Sequence, residues 1–597
     1  HRKLPVADVR TTPTQQPASQ NVRGSTTLRI TESAGSRREG HEGLHARLAN
    51  TESSSAASLP ALRSSGKTPY VVDSSNINYL IREFGLPDQN ASDAPPIEEY
   101  LHRAMLERLD QPTIQYIEGR RSFTIRRLKN EGAFDLPAGD ITTALLQVFF
   151  QHGFHSLSIT DWSNFMKSIE AGTVSHLLLN AMCMVATLYC PDSLIHEAGF
   201  VSRFIASLTF YHRAKDIYDA GYETDAIAVI QATFLLSHWW SGPLEQKDPW
   251  YWLGVTTGMA QALGMHRLRS YSHLQLRHRR LWRRLWWIIY ATDINFSLCL
   301  DRVPHVRDDF CEISILTEDD FEEPSGSTSN DSFGEIVHEQ VLFVIHYVKL
   351  ARTVNICHPF QPCEETTSSP NNFLERISSW HMLLPSELRF PSSRKSVWVM
   401  LTQLTYDQYQ LLFRRKAADA AQNMGPGSPI FEICTNLFRI LEDMVTSGTL
   451  FSVAGHVLPS VMASLCFHIA NISNGDAQIR PISEHRARFC MRILKDLHAS
   501  WPIIASVYPF FSSVFRRHSG LSVSEFEKSE LGGPQPVQRT DSTESCSEDA
   551  SHTVEGDSWV YERFLHDENS AVVNSAFPFS YLFEDVFLTP SLNDSSL

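Results

Sequence analysis

Residues 224–240, TDAIAVIQATFLLSHWW, and residues 250–265, WYWLGVTTGMAQALGM, decide the fold class of this chain. In the first, Ile227, Ile230, Phe234 and Leu235 recur at three- and four-residue steps, the spacing that gathers side chains on one face of a helix. In the second, Trp252, Val255, Met259 and Leu263 repeat the pattern. Gly242-Pro243 lies between the two runs. A Gly-Pro break joining two short helical runs predicts an antiparallel helix pair.

The same reading extends outward. From residue 71 to 324 the chain reads as successive helices punctuated by Gly153, Pro191, Gly221 and Pro304. The apolar run HLLLNAMCMVATLYC, residues 176–190, is too short to cross about 30 Å of hydrocarbon and predicts a buried core helix. Residues 325–331 form a Ser/Gly/Thr linker, and a second helical block follows over 332–520. Alternating strand patterns of useful length are missing, and no fixed repeat is visible. The predicted fold is all-α, an irregular multi-helical array with disordered N- and C-terminal segments.

Those ends differ in charge. Residues 1–70 are rich in Ser, Thr, Arg, Gly and Ala and predict a disordered basic linker, with ten basic against five acidic residues by Lys67. Residues 521–597 carry three basic against fifteen acidic residues and predict a mostly disordered acidic tail. A net charge of −15 over 597 residues argues against a generic nucleic-acid coat, which needs a dense positive surface. The ten cysteines are scattered without a Cys-x-x-Cys pair and predict reduced thiols inside apolar helices. No secretory signal precedes them, so no membrane partner is expected. Neither Gly-x-Ser-x-Gly nor Gly-x-Gly-x-x-Gly occurs, and the His-Glu-x-x-His match at His41, Glu42 and His45 lies in the segment read as disordered, which leaves no catalytic group to name.

The central residues are similar to a known family. YHRAKDIYD from Tyr211, AIAVIQATFLLSHW from Ala226, WYWLGVTTGMAQALGMHR from Trp250 and RRLWRRLWWIIYATDINFSLCLDRVP from Arg279 resemble the fungal-specific transcription factor domain, or middle homology region, of zinc-cluster regulators. The texture is loosely like the cutinase transcription factor group. One departure is visible: the loop after the Leu-Trp-Trp helix usually carries Gly-Arg-Pro, whereas LDRVP keeps Arg302 and Pro304 but has no glycine. The resemblance implies a nuclear regulator of RNA polymerase II genes that is not an enzyme, with this chain as its effector-responsive body. It also implies a six-cysteine zinc cluster near the N-terminus. That cluster is absent from this sequence, so no cofactor is expected within the chain, and DNA contact is expected through zinc upstream of His1 or on a partner.

Several groups invite a functional reading. Arg277, Arg279, Arg280, Arg283 and Arg284 form a candidate basic contact surface for phosphate. Beside it stands the plainer reading that Trp282, Leu285, Trp286 and Ile289 form a buried stripe while the arginines project outward or pair with Asp293, Asp301, Asp308 and Asp309. Arg302 with Asp293 is the expected ion pair at the helix exit. Trp239, Trp240, Trp250, Trp252, Trp282, Trp286 and Trp287 are either core or the wall of a small-molecule effector pocket. His152, His155, His176, His196 and His212 lack metal-site spacing and read as ordinary histidines. In the tail, Phe579, Leu582, Phe583, Val586 and Phe587 can share a helical face within residues 577–590. They predict either an activation segment for a coactivator or another transcription protein, or a helix docked on its own domain. A homodimer fits the resemblance, although no long heptad run supports a coiled coil. Two alternatives remain open: a scaffold or co-regulator without its own DNA-binding module, and an enzyme with a tryptophan-lined pocket.

Overall fold

The computed structural model describes residues 108–520 apart from 153–155, 241–245, 273, 301, 323–336, 357–369, 391–395, 417–424, 475–476 and 499. The basic head, the linker, Asp301, His155 and the acidic tail with its segment 577–590 lie outside the described residues. The all-α expectation holds: among the described residues there is no strand. The helices are α1 (Gln111–Asn130), α2 (Gly139–His152), α3 (Ser156–Ile159), α4 (Trp162–Glu170), α5 (His176–Thr187), α6 (Asp192–Glu197), α7 (Arg203–Asp219), α8 (Ala226–Leu236) and α9 (Pro249–Ala262). They continue as α10 (Leu276–Cys299), α11 (His338–Ile356), α12 (Pro370–Met382), α13 (Val397–Lys416), α14 (Pro429–Thr446), α15 (Ala454–Asn474), α16 (Arg480–Leu497) and α17 (Pro502–Ser519).

Local chemistry sets several starts. Ser175, Ser202, Asp225, Asp248 and Ser428 each accept a backbone N–H of the first turn of α5, α7, α8, α9 and α14, satisfying donors that have no partner inside the helix. Pro249 follows Asp248 where a missing N–H costs nothing. Just beyond α9, Gly264 turns the chain at φ +71°, a conformation that side-chain-bearing residues resist.

Packing passes from neighbour to neighbour. Helix α5 sits among α2, α7 and α8; α8 packs on α9, α9 on α10, and α10 on α11. From there α11 meets α13, and α13, α14, α16 and α17 surround α15. A single hydrophobic core runs through all of these elements, across the linker the sequence suggests as a divide.

Helix α5 is buried along nearly its whole length, as a core helix should be. The pair α8 and α9 also forms, but with different faces from those the spacing suggests. Ile227 through Leu236 are all buried, so α8 has no solvent face. Its polar residues are accommodated inside: Gln231 Nε2 donates to the Ile159 carbonyl, and Thr256 Oγ1 donates to Thr233 Oγ1 at 3.0 Å. In α9 the buried stripe is Trp252, Leu253, Thr256, Thr257 and Ala260, with Val255 and Met259 at its margin. The stretch Leu450–Ser473 is long and apolar enough to cross a membrane, and 72% of its most apolar window is buried inside the protein.

Candidate functional site

Helix α10 carries the arginine-dense segment, and its stripe of Trp282, Leu285, Trp286 and Ile289 is buried. The guanidiniums are engaged within the protein. Arg277 pairs with Asp161, Arg280 with Glu322 at 2.9 Å and Arg283 with Asp320 at 2.9 Å. Arg279 donates to the Leu274 carbonyl at 2.7 Å. Arg284 is itself buried, donates to the Thr160 carbonyl and lies over the Phe321 ring. The carboxylates are therefore not the ones nearest in sequence. The helix spans 24 residues, which carries its N-terminal arginines far from Asp293 and Asp308 and toward 160–161 and 320–322.

The expected Asp293–Arg302 pair gives way to two other partnerships. Asp293, fully buried, accepts from the backbone N–H groups of His305 at 2.7 Å and Val306 at 3.0 Å and from His305 Nδ1 at 2.7 Å. Arg302 reaches back to Asp248 at 2.6 Å and lies over Trp250. Asp248 thus serves twice, one oxygen capping α9 and the other holding Arg302. The loop's two backbone N–H groups and the imidazole already occupy this carboxylate, which leaves the Arg302 guanidinium to Asp248. The Asp293–His305 pair joins a fully buried carboxylate to an imidazole that is 21% exposed. A Cβ built on Gly254 would stand 2.7 Å from His305 Nε2, so that nitrogen packs against α9 while Trp250 covers the ring at 4.2 Å. This is a clasp that fixes the loop.

A second clasp joins α10 to α11. Asp308 accepts from Arg352 at 2.7 and 3.1 Å and from the Tyr290 hydroxyl at 3.2 Å, and Asn355 Nδ2 donates to the same hydroxyl at 2.8 Å. Tyr290 is pushed well above the ordinary tyrosine range, chiefly by burial.

Between these helices lies a cavity of about 120 Å³. Phe149 of α2, Val185 of α5 and Leu235 of α8 wall one side, with Ser237, His238 and Trp240 just beyond α8. Thr292, Asn295, Phe296 and Cys299 of α10 form another wall. Tyr347 of α11, Gly455, His456 and Pro459 of α15, and Trp501 and Ile503 close it from the second helical block. Among the described residues, no lining residue is Asp, Glu, Lys or Arg. Burial holds the imidazoles of His238 and His456 down to about 4 and about 3, so both are neutral near pH 7. The α10 wall is tied to the second block through buried hydrogen bonds. Tyr409 Oη donates to Asn295 at 3.2 Å, Gln408 Nε2 to Cys299 Sγ at 3.4 Å, and Ser460 Oγ to Gln408 at 3.0 Å.

Of the seven tryptophans singled out by sequence, Trp240 lines the cavity. Trp239, Trp252, Trp282, Trp286 and Trp287 are core, and Trp250 covers His305. Sequence reasoning missed Trp501, Gly455 and His456. The one local signal was Gly455 in an otherwise apolar helix, where a Cβ would stand 2.7 Å from the Trp501 ring. His152 stacks on Tyr189 and His176 meets Phe134 edge-on, and no group of three or more His, Cys, Asp or Glu among the described residues is placed to hold a metal. The described cysteines are free; all are buried except Cys311, which is half-buried, and burial pushes the thiols of Cys183, Cys299 and Cys490 up to about 12. They do not fit a six-cysteine zinc cluster.

Residues 146–456 match the sequence profile described as fungal specific transcription factor domain. Cutinase transcription factor 1 alpha of Fusarium vanettenii is 26% identical over 476 residues, covering 75% of this chain and 50% of the relative. The acetamidase regulatory protein of Aspergillus fumigatus is 25% identical over 418 residues, 66% of this chain and 51% of the relative. Cutinase transcription factor 1 beta of Fusarium vanettenii is 28% identical over 203 residues, 33% and 23% respectively. The chain thus spans about half or less of the length of these curated relatives. No solved structure matches it at a significant level.

Proposed function

The chain belongs to the fungal-specific transcription factor domain family, and from that premise we propose that it is the regulatory body of a nuclear factor controlling RNA polymerase II genes, with an output set by what occupies the cavity. The observation that carries this reading is where the cavity lies. Its wall combines α2, α5, α8 and α10 with α11, α15 and Trp501. An occupant touches both helical blocks and stabilises whichever arrangement of them it fits, which is how a ligand shifts a regulatory equilibrium. DNA reading is assigned to a zinc cluster elsewhere in the intact product or on a partner. Coactivator recruitment is assigned to Phe579, Leu582, Phe583, Val586 and Phe587.

The internal engagement of the α10 arginines supports a scaffold role for that helix over phosphate contact. The test is a tethered reporter, with residues 1–597 fused to a heterologous DNA-binding module. The expected result is transcription that departs from the module alone, and that changes again when residues 577–590 are removed. An abundant, nuclear fusion whose reporter equals the module alone would sink the proposal.

A further inference from the structure

Beyond that regulatory reading, on which it rests, we infer that the cavity is a binding site for a small, neutral, largely apolar molecule bearing a hydrogen-bond-accepting oxygen, received by Thr292, Trp240 and Trp501. The wall supplies the selection. Thr292 Oγ1, Trp240 Nε1 and Trp501 Nε1 are buried and have no hydrogen-bond partner among the described residues. All three residues line the cavity. Indole N–H groups only donate, and a threonine hydroxyl donates or accepts, so the site offers at least two donors to an acceptor. Buried donors left unmatched cost free energy that an acceptor oxygen returns.

Two other polar lining groups are already committed. Ser237 donates to the Phe234 carbonyl at 2.6 Å, and the Asn295 carbonyl oxygen accepts from Tyr409 at 3.2 Å. With no Asp, Glu, Lys or Arg among the described residues of the wall, a charged ligand would lose its hydration without gaining a counter-ion from them. Size narrows the class further. A volume of about 120 Å³ is close to that of an apolar cavity of about 150 Å³ that binds benzene, and well below the pockets of about 300–1,000 Å³ that hold drug-sized ligands. The occupant is a single ring or a short chain. Recognition comes from both blocks, since Trp240 and Thr292 precede the linker and Trp501 follows it.

The probes are cyclohexanone, toluene and cyclohexanecarboxylate, used with the full 597-residue chain and followed by ligand-observed NMR and by the thermal unfolding midpoint. Cyclohexanone is expected to bind and raise the midpoint, toluene to bind about three- to tenfold more weakly for want of an acceptor, and the carboxylate not to bind. Thr292→Val, which deletes a donor and keeps shape, should weaken cyclohexanone by about three- to tenfold while leaving toluene unchanged; Trp501→Phe, which removes the N–H together with part of the ring, should weaken cyclohexanone more than toluene. Leu235→Trp, which fills the cavity, should abolish both. Equal binding of the ketone and toluene, indifference to the two donor deletions, or preference for the carboxylate overturns the assignment. Absence of all binding in a chain that unfolds cooperatively does so as well. The tethered reporter is scored separately. A live reporter with no ketone binding removes the ligand class and leaves the regulatory reading standing; a silent reporter with donor-dependent binding does the reverse.

Discussion

Replacing Asp407 with asparagine should make the protein's stability less dependent on pH, by an amount the structure sets. Asp407 is buried in α13, and burial pushes its carboxyl up to about 7 from an ordinary 3.8, while hydrogen bonds from Gln403 and Gln410 pull the other way. Gln410 reaches one oxygen at 3.3 Å, and the other has no partner among the described residues. Between those two values the unfolded chain has released the proton and the folded chain still holds it. Stability therefore falls as pH rises through this window. At about 1.4 kcal/mol for each pH unit crossed, the carboxyl costs the fold about 2 kcal/mol at pH 5 and about 4 kcal/mol at pH 8. An amide cannot ionise, so the advantage of Asp407→Asn over wild type should grow by about 2–3 kcal/mol between those two conditions. Any fixed packing difference between acid and amide cancels in the comparison. Urea unfolding followed by circular dichroism at both pH values measures it. A gap between variant and wild type that stays constant from pH 5 to pH 8 would mean that Asp407 ionises normally, and the account of its environment would fail.

The remaining predictions concern the clasps, the cavity wall and the buried histidines. Asp293→Ala strands three donors around a buried site and should cost about 3–5 kcal/mol in urea unfolding. Arg302→Ala, at a partly exposed pair, should cost about 1 kcal/mol or less, so equal losses would contradict the assignment of Asp293 as the loop's anchor. Gly455→Ala drives a methyl group into the Trp501 ring and should lower stability by about 1–3 kcal/mol, with a change in tryptophan emission that an unmoved ring would not give. His238, His456 and His468 are held by burial to about 4, 3 and 3. Their contribution is complete above pH 6.5 and is lost as pH falls toward those values. His456→Gln should flatten the acid limb of the stability profile, and an unchanged limb counts against a buried neutral imidazole.

Much of the fold was legible in the sequence because its signals are local. The three- and four-residue repeats of residues 224–240 and 250–265 announce helices, the Leu-Trp-Trp run announces a buried stripe, and the apolar length of residues 176–190 announces a core helix. What the spacing could not reveal was degree of burial. A three- and four-residue repeat looks the same whether the other face meets water or, as in α8, another helix. The ion pairs were misassigned for a related reason. Choosing partners by nearness along the chain favours Asp293 for Arg302, whereas the folded loop places Asp248, 54 positions away, at the guanidinium. The cavity was the least legible feature. Trp240 and Trp501 come together only after the two helical blocks share a core, and nothing in either segment alone marks the encounter.

That encounter bears on how the protein is cut for experiment. The family profile ends at His456, three residues into α15, yet the cavity wall continues through Pro459, Trp501 and Ile503. A fragment trimmed to the profile would sever a helix and remove Trp501, converting a walled cavity into an exposed apolar slope. Such a fragment would bind surfaces in place of small molecules, and its stickiness would be mistaken for a partner interface. The folded unit is therefore longer than the stretch the profile matches, and its core reaches at least to α17.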